Sequence, residues 1–169
     1  QMTTAGRMRA FTALILLLPG TPMLFQGQEF GSSRPFQYFA DFQGELGEAV
    51  NNGRREFLSQ FPDLASSTVI ARANDPETFA RCKLDWSERE KNPHVVALHR
   101  DLIALRTRDP VFREQHPRCL DGAVIGPEAF LVRFFGSQND DRLLIVNYGR
   151  DLNCACLAEP LLAPPAGRG

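Results

Sequence analysis

The sequence predicts an α/β arrangement followed by an all-β segment, and two observations predict it. First, an apolar helix, a tight turn at Pro19-Gly20, a short apolar run from Pro22 to Phe25 and a polar tip at Gly27-Gln28-Glu29 follow one another. That succession is one unit of an α/β barrel or of a doubly wound sheet. Second, from about Cys119 onward the apolar residues switch to a period of two, broken by turn clusters, as antiparallel strands do.

The elements follow in order. Residues 4–18 read as a helix that is apolar on all sides after Ala10, so other elements have to cover it. Proline lacks the N–H a helix needs and glycine tolerates the turn, so the helix stops at Pro19-Gly20. Residues 22–26 read as a buried strand, apolar from Pro22 to Phe25 rather than alternating, as parallel strands are. Residues 28–92 form an excursion of mixed character, far beyond the usual 2–6 residues of a strand-to-helix loop, and insertions of that size serve as lids or walls. Within it a helix is expected over residues 45–60, with Leu46, Val50, Phe57 and Leu58 as its apolar stripe. Asn74-Asp75-Pro76 opens a helical turn through Phe79. Asn92-Pro93 starts a further helix over 93–108; Val95, Leu98, Leu102 and Leu105 line its inner face, and Arg100, Asp101, Arg106 and Arg108 face out. Strands are expected over 129–135, 142–148 and 153–157, the first two joined as an antiparallel hairpin by the turn at 136–141.

Bulk composition excludes several function classes. A formal net charge of −1 suggests neither nucleic acid nor an acidic membrane surface as partner. The basic-then-apolar order of residues 8–18 mimics a signal peptide, but its apolar core is short and apolar chain resumes at Pro22. It is also far short of the roughly 20 apolar residues that span a bilayer. The four cysteines, Cys82, Cys119, Cys154 and Cys156, form no Cys-x-x-Cys pair. Reduced thiols in a cytoplasmic protein are expected, without metal or cofactor. His94, His99 and His116 share no ligand spacing. The arginines at 54, 55, 113 and 118 read as solvated surface.

The run Leu18-Pro19-Gly20-Thr21-Pro22-Met23-Leu24-Phe25-Gln26-Gly27-Gln28-Glu29-Phe30-Gly31 resembles the eighth barrel strand of the α-amylase superfamily, glycoside hydrolase family 13. Pro35-Phe36-Gln37-Tyr38-Phe39-Ala40-Asp41-Phe42, Lys83-Leu84-Asp85-Trp86-Ser87, Glu48-Ala49-Val50 and Gly53-Arg54-Arg55-Glu56-Phe57 resemble the trehalose-releasing branch of that family, with glucan branching enzymes as the near neighbour. The resemblance implies that residues 1–110 are the carboxyl-terminal part of a TIM (β/α)8 barrel: strand 22–26, insertion 28–92 and last helix 93–108. Residues 115–169 would then be part of the β-domain that follows the barrel. It also implies a retaining hydrolase that cleaves the α-1,4 bond next to the trehalose end of maltooligosyltrehalose, or a related α-glucan as substrate.

Retaining glycosidases need two carboxyl groups about 5–5.5 Å apart. The family carries them at the ends of earlier barrel strands, and no matching motif occurs in this chain, so no catalytic residue is assigned. The chain therefore reads as a fragment that is inactive alone and requires the missing amino-terminal barrel half. What remains is the wall of a site. Gln28 and Glu29 either hydrogen-bond sugar hydroxyls or brace the neighbouring loops. Tyr38 and Phe39, with Phe36, either stack on glucose rings or form the insertion's own small core; Asp41 among them is a candidate acceptor for a sugar hydroxyl. Trp86, the one tryptophan, is a platform for distal glucose units or an anchor for the insertion. A non-catalytic carbohydrate-binding module is the rival from another class; it would have to leave the apolar surface at 10–25 exposed without associating.

Overall fold

The computed structural model describes residues 3–61, 70–153 and 157–164. It divides into two compact units, one made of residues 1–29 with 93–169 and the other of residues 30–92.

The first unit begins with α1 (Ala5–Leu17). Thr4 caps it by accepting a hydrogen bond from the Arg7 amide, 3.3 Å away. After Leu18 the backbone turns extended, and Gly20 adopts φ +122°, a conformation that a side chain would strain. α2 (Pro93–Arg108) follows in this unit, then the short α3 (Pro110–Arg113), whose first amides at Val111 and Phe112 donate to the Asp109 carboxylate. Three strands complete it: β1 (Leu120–Gly126), β2 (Ala129–Phe134) and β3 (Arg142–Asn147), antiparallel throughout, with β2 central. Cross-strand pairs such as Val132 with Leu144 and Phe130 with Val146 bring like faces together.

β2 is buried on both faces. Towards the helices, Val132 and Phe134 pack with Leu16, Leu17, Leu102 and Phe112, joined by the partly buried Leu24, Leu98 and Leu144. The rings of Phe112 and Phe134 meet edge-on at 5.0 Å. On the other face Leu131 and Ala129 pack with Ile125, Leu152, Leu161 and Leu162. Arg133, on that same face, is buried and satisfied: it pairs with Asp141 at 2.8 Å and donates to the carbonyls of Leu161 and Ala163.

The second unit holds α4 (Gly44–Leu58), α5 (Pro76–Cys82) and α6 (Glu88–Lys91), the helices of the excursion between α1 and α2. α5 starts as the sequence demands, with Asp75 accepting from the Glu77 amide and Pro76 in the first turn. Asn92 donates from its side chain to the Phe30 carbonyl at 3.0 Å and ties the two ends of this unit together.

Several expectations need correction. Residues 22–26 join no strand ladder among the described residues. A strand exists through its partners, and none of those residues pairs with this run. In α4 the apolar stripe is split: Val50 and Leu58 are half-buried, Leu46 is 57% and Phe57 58% exposed, and the buried positions are Gly47 and Asn51. The reason is steric, since a Cβ at Gly47 would lie 2.5 Å from the Phe42 carbonyl oxygen, so only glycine lets the backbone approach. β1 was not expected as a strand, while the hairpin of β2 and β3 and the helix at 93–108 stand where the periodicity puts them. The proposed strand at 153–157 lies mostly outside the described residues. No helix of the described residues is long and apolar enough to cross a membrane.

Candidate functional site

The site residues suggested by the sequence fall into both units. Gln28 and Glu29 belong to the first; Tyr38, Phe39, Asp41 and Trp86 belong to the second.

At the polar tip the chain folds back on itself. The Gln28 amide donates to the Phe25 carbonyl at 3.0 Å, and the Gln28 side-chain oxygen accepts from the Phe25 amide at 3.2 Å. Gln28 thus spends its acceptor on a local turn and keeps its amide NH2 as a donor. Glu29 follows in a single 3-10 turn over Gln28–Phe30 and is half-buried. Behind the tip, Arg106 reaches across from α2. Its guanidinium donates to the carbonyls of Leu16 at 2.7 Å and Leu18 at 2.9 Å, and to that of Gly20. The outward pointing expected of Arg106 is therefore wrong. The unpaired carbonyls at the end of α1 hold partial negative charge, and a cation 86 to 90 positions away answers it.

In the second unit, residues 36–42 are pinned at alternate points. The Gln37 amide donates to the Cys82 sulfur at 3.2 Å, and the Ala40 amide donates to the Ala73 carbonyl at 2.8 Å. Ala73 is itself held by its own amide, which donates to the Asn51 side chain at 2.8 Å. Between these pins the aromatic side chains face outward in part. Phe39 meets Phe79 edge-on at 5.0 Å and Phe36 at 6.4 Å. Tyr38 carries the Arg54 guanidinium 4.5 Å over one ring face. Asp41 accepts from the Gln43 side chain at 2.9 Å. These rings do pack on one another, as the small-core reading expects, yet Tyr38 remains 42% and Phe39 37% exposed.

Trp86 is 63% exposed, with one side of its indole against the buried Phe30 ring, centroids 5.5 Å apart. Carboxylates flank it. Glu88 accepts from the Ser33 hydroxyl and amide and from the Ser32 hydroxyl; these bonds, the Ser33 hydroxyl above all, hold its carboxyl below the usual glutamate range. Asp85 is lowered chiefly by the Ser87 hydroxyl, 2.7 Å away. Trp86 thus stands on a segment fixed by its own hydrogen bonds. Among the described residues no group of three His, Cys, Asp or Glu side chains is placed to hold a metal ion.

Sequence reasoning missed Arg54 and Phe79. Arg54 was read as solvated surface, whereas its Nε is buried and its guanidinium covers Tyr38. The signal was there: Gly47, Asn51 and Arg54 recur at helical spacing on one side of α4.

No family model matches the chain. Over 144 residues, 82% of its length, it is 40% identical to the malto-oligosyltrehalose trehalohydrolase of Deinococcus radiodurans, and over 110 residues, 63% of its length, 46% identical to that of Arthrobacter ramosus. This chain is a relative of the malto-oligosyltrehalose trehalohydrolases. A trehalohydrolase of Saccharolobus solfataricus is more distant, at 35% identity over 95 residues. Among solved structures, one from Salmonella typhimurium that carries the name alpha amylase matches 95% of the chain with a TM-score of 0.74 at 29% identity. The chain spans 23% of the Deinococcus trehalohydrolase, 19% of the Arthrobacter one and 28% of the Salmonella structure. The likeness to the trehalohydrolases bears out the resemblance carried by residues 18–31 and 35–87, and the likeness to an amylase structure fits helices followed by a small antiparallel sheet.

Proposed function

We propose that this chain is part of a longer retaining glycoside hydrolase that cleaves the α-1,4 bond next to the trehalose end of maltooligosyltrehalose and releases trehalose. The observation that carries the reading is the 40% identity to a trehalohydrolase over 82% of the chain. In this reading residues 22–26 become the eighth barrel strand once the rest of the barrel supplies parallel partners, and residues 93–108 are the last barrel helix. Residues 115–169 contribute to the β-domain. The catalytic carboxylates lie outside this chain, which is inactive by itself.

The chain's own residues then act as substrate wall. Gln28 donates its side-chain NH2, and Glu29 its acceptor oxygens, to sugar hydroxyls. A glucose ring presents apolar C–H faces, so it stacks on the side of Tyr38 that Arg54 leaves open, beside Phe39. Asp41 accepts from a hydroxyl of that ring. Trp86 is the platform for a more distal unit, steadied by Phe30. Aromatic platforms of this kind contribute affinity rather than chemistry.

The test is product analysis with the full-length enzyme that contains this chain. Incubation with maltooligosyltrehalose releases trehalose and the shortened maltooligosaccharide, in the α configuration. Release of glucose or maltose without trehalose, or formation of new branch points in amylose, would replace this reading with an amylase or a branching enzyme.

A further inference from the structure

The arginine of α2 that grips the end of α1 has a role the overall reading does not assign. Arg106 donates to three carbonyls, those of Leu16, Leu18 and Gly20, within five positions of chain. One guanidinium nitrogen donates to Leu16 and Leu18 and the other to Gly20, a fork that an ammonium on a flexible stem does not reproduce. Gly20, the last carbonyl it holds, is where the chain leaves the helix at φ +122°. From there the path to the polar tip is short and held at two further points. Leu24 packs against the apolar core, and Gln28 closes its turn on Phe25. Leu24 and the turn fix the run at its middle and end; at its start Leu18 packs on the same core, and Arg106 holds the carbonyls on either side of the exit.

We propose that Arg106 is a positioning residue for the tip: by clamping the exit of α1 it sets where Gln28 and Glu29 stand against the sugar. The inference rests on the reading of those two residues as substrate wall. A guanidinium that merely capped a helix would stabilise α1 and leave binding alone. One that fixes the start of the run displaces Gln28 and Glu29 when it is lost, and small displacements of binding groups weaken substrate recognition steeply.

Two measurements test it. In hydrogen–deuterium exchange on the full-length enzyme that contains this chain, Arg106→Gln speeds exchange of the amides at 21–30 while those in the middle of α1 keep their protection. In the full-length enzyme, Arg106→Gln raises KM for its α-glucan substrate by about tenfold with a smaller change in kcat, and Arg106→Lys recovers part of that loss. Gly20→Ala, which strains the same exit without touching the arginine, raises KM in the same direction. Should Arg106→Gln prevent folding, Arg106→Lys and Gly20→Ala carry the test. Unchanged exchange at 21–30, or a lower melting temperature with KM unchanged in all these variants, overturns the proposal. Failure of the wild-type enzyme to release trehalose strikes instead at the reading beneath; KM is then compared on whichever α-glucan it does cleave, and an enzyme that cleaves none overturns both.

Discussion

The two units are held together by different physics. The unit of α1, α2 and the sheet buries a contiguous apolar set, Leu16, Leu17, Leu102, Phe112, Val132 and Phe134. Among its described residues the unit of residues 30–92 buries a smaller apolar set, Phe30, Ala73 and Cys82, and Asn51, Thr78 and the thiol of Cys82 each bond to backbone there. The first unit too buries polar groups, Thr12, His99 and Arg133, but beside a larger apolar core. In the unit of residues 30–92 the large aromatics are mostly half-exposed, Phe36, Tyr38, Phe39, Phe57 and Phe79 among them. Apolar burial is non-directional and tolerates substitution by shape, whereas a hydrogen-bonded loop needs particular atoms at particular places. The unit that carries Tyr38, Phe39 and Trp86 is therefore one in which directional bonds stand beside a small apolar set, and those rings stay partly exposed.

The sharpest way to break this contrast is to damage the apolar core alone. Phe134→Ala removes a buried ring that meets Phe112 and costs about 3–5 kcal/mol in equilibrium denaturation. If exchange protection across residues 30–92 falls by the same factor, the two units are one cooperative body and the contrast fails. Next in size, Asn51→Ala strands the buried amide of Ala73 and removes the bond to Asn74, at a cost of about 1–3 kcal/mol. Its effect is expected in exchange at residues 36–58 and 70–82, with β1 to β3 unchanged.

A smaller effect separates the units by pH. Glu88 has its carboxyl held below the ordinary glutamate value by Ser33 and Ser32, so its contribution is full above that ordinary value and is lost as pH falls through the lowered one. Acid titration followed by exchange is expected to loosen residues 30–34 and 85–92 first, and Glu88→Gln abolishes that pH dependence. The smallest effect on stability is that of Trp86→Ala, within about 0.5 kcal/mol because the side chain is 63% exposed. If Trp86 is a glucan platform, the same change weakens binding of long maltooligosaccharides while leaving the melting temperature in place, which calorimetric titration of the full-length enzyme reads directly.

How much was legible in the sequence follows the same divide. The helix at 93–108 and the hairpin of β2 and β3 rest on apolar periodicity and turn chemistry, both local signals, and they stand where those signals put them. β1 was hidden because Asp121-Gly122 breaks the alternation; its register is set by β2, through pairs such as Ala123 with Leu131. The inward side of α4 was misread because periodicity counts apolar residues, and here a glycine and an asparagine make the contact. Arg106 and Arg54 were placed in solvent for a related reason: an arginine's partner can be a carbonyl or a ring from distant sequence, which no local pattern records. The candidate site residues follow from family resemblance more than from any local pattern, because a sugar-binding wall is assembled from side chains far apart in sequence.

The hydrogen bond from Asn92 to the Phe30 carbonyl joins positions 62 apart and makes the insertion a loop with a closed neck. The entropy of closing a loop grows only with the logarithm of its length, about 0.6 kcal/mol for each doubling. With the neck fixed, the contents of the loop can lengthen, shorten or be exchanged at little cost to the rest of the chain. The insertion is thus a socket in which selection, or an engineer, can trade one set of aromatic side chains for another without rebuilding the scaffold.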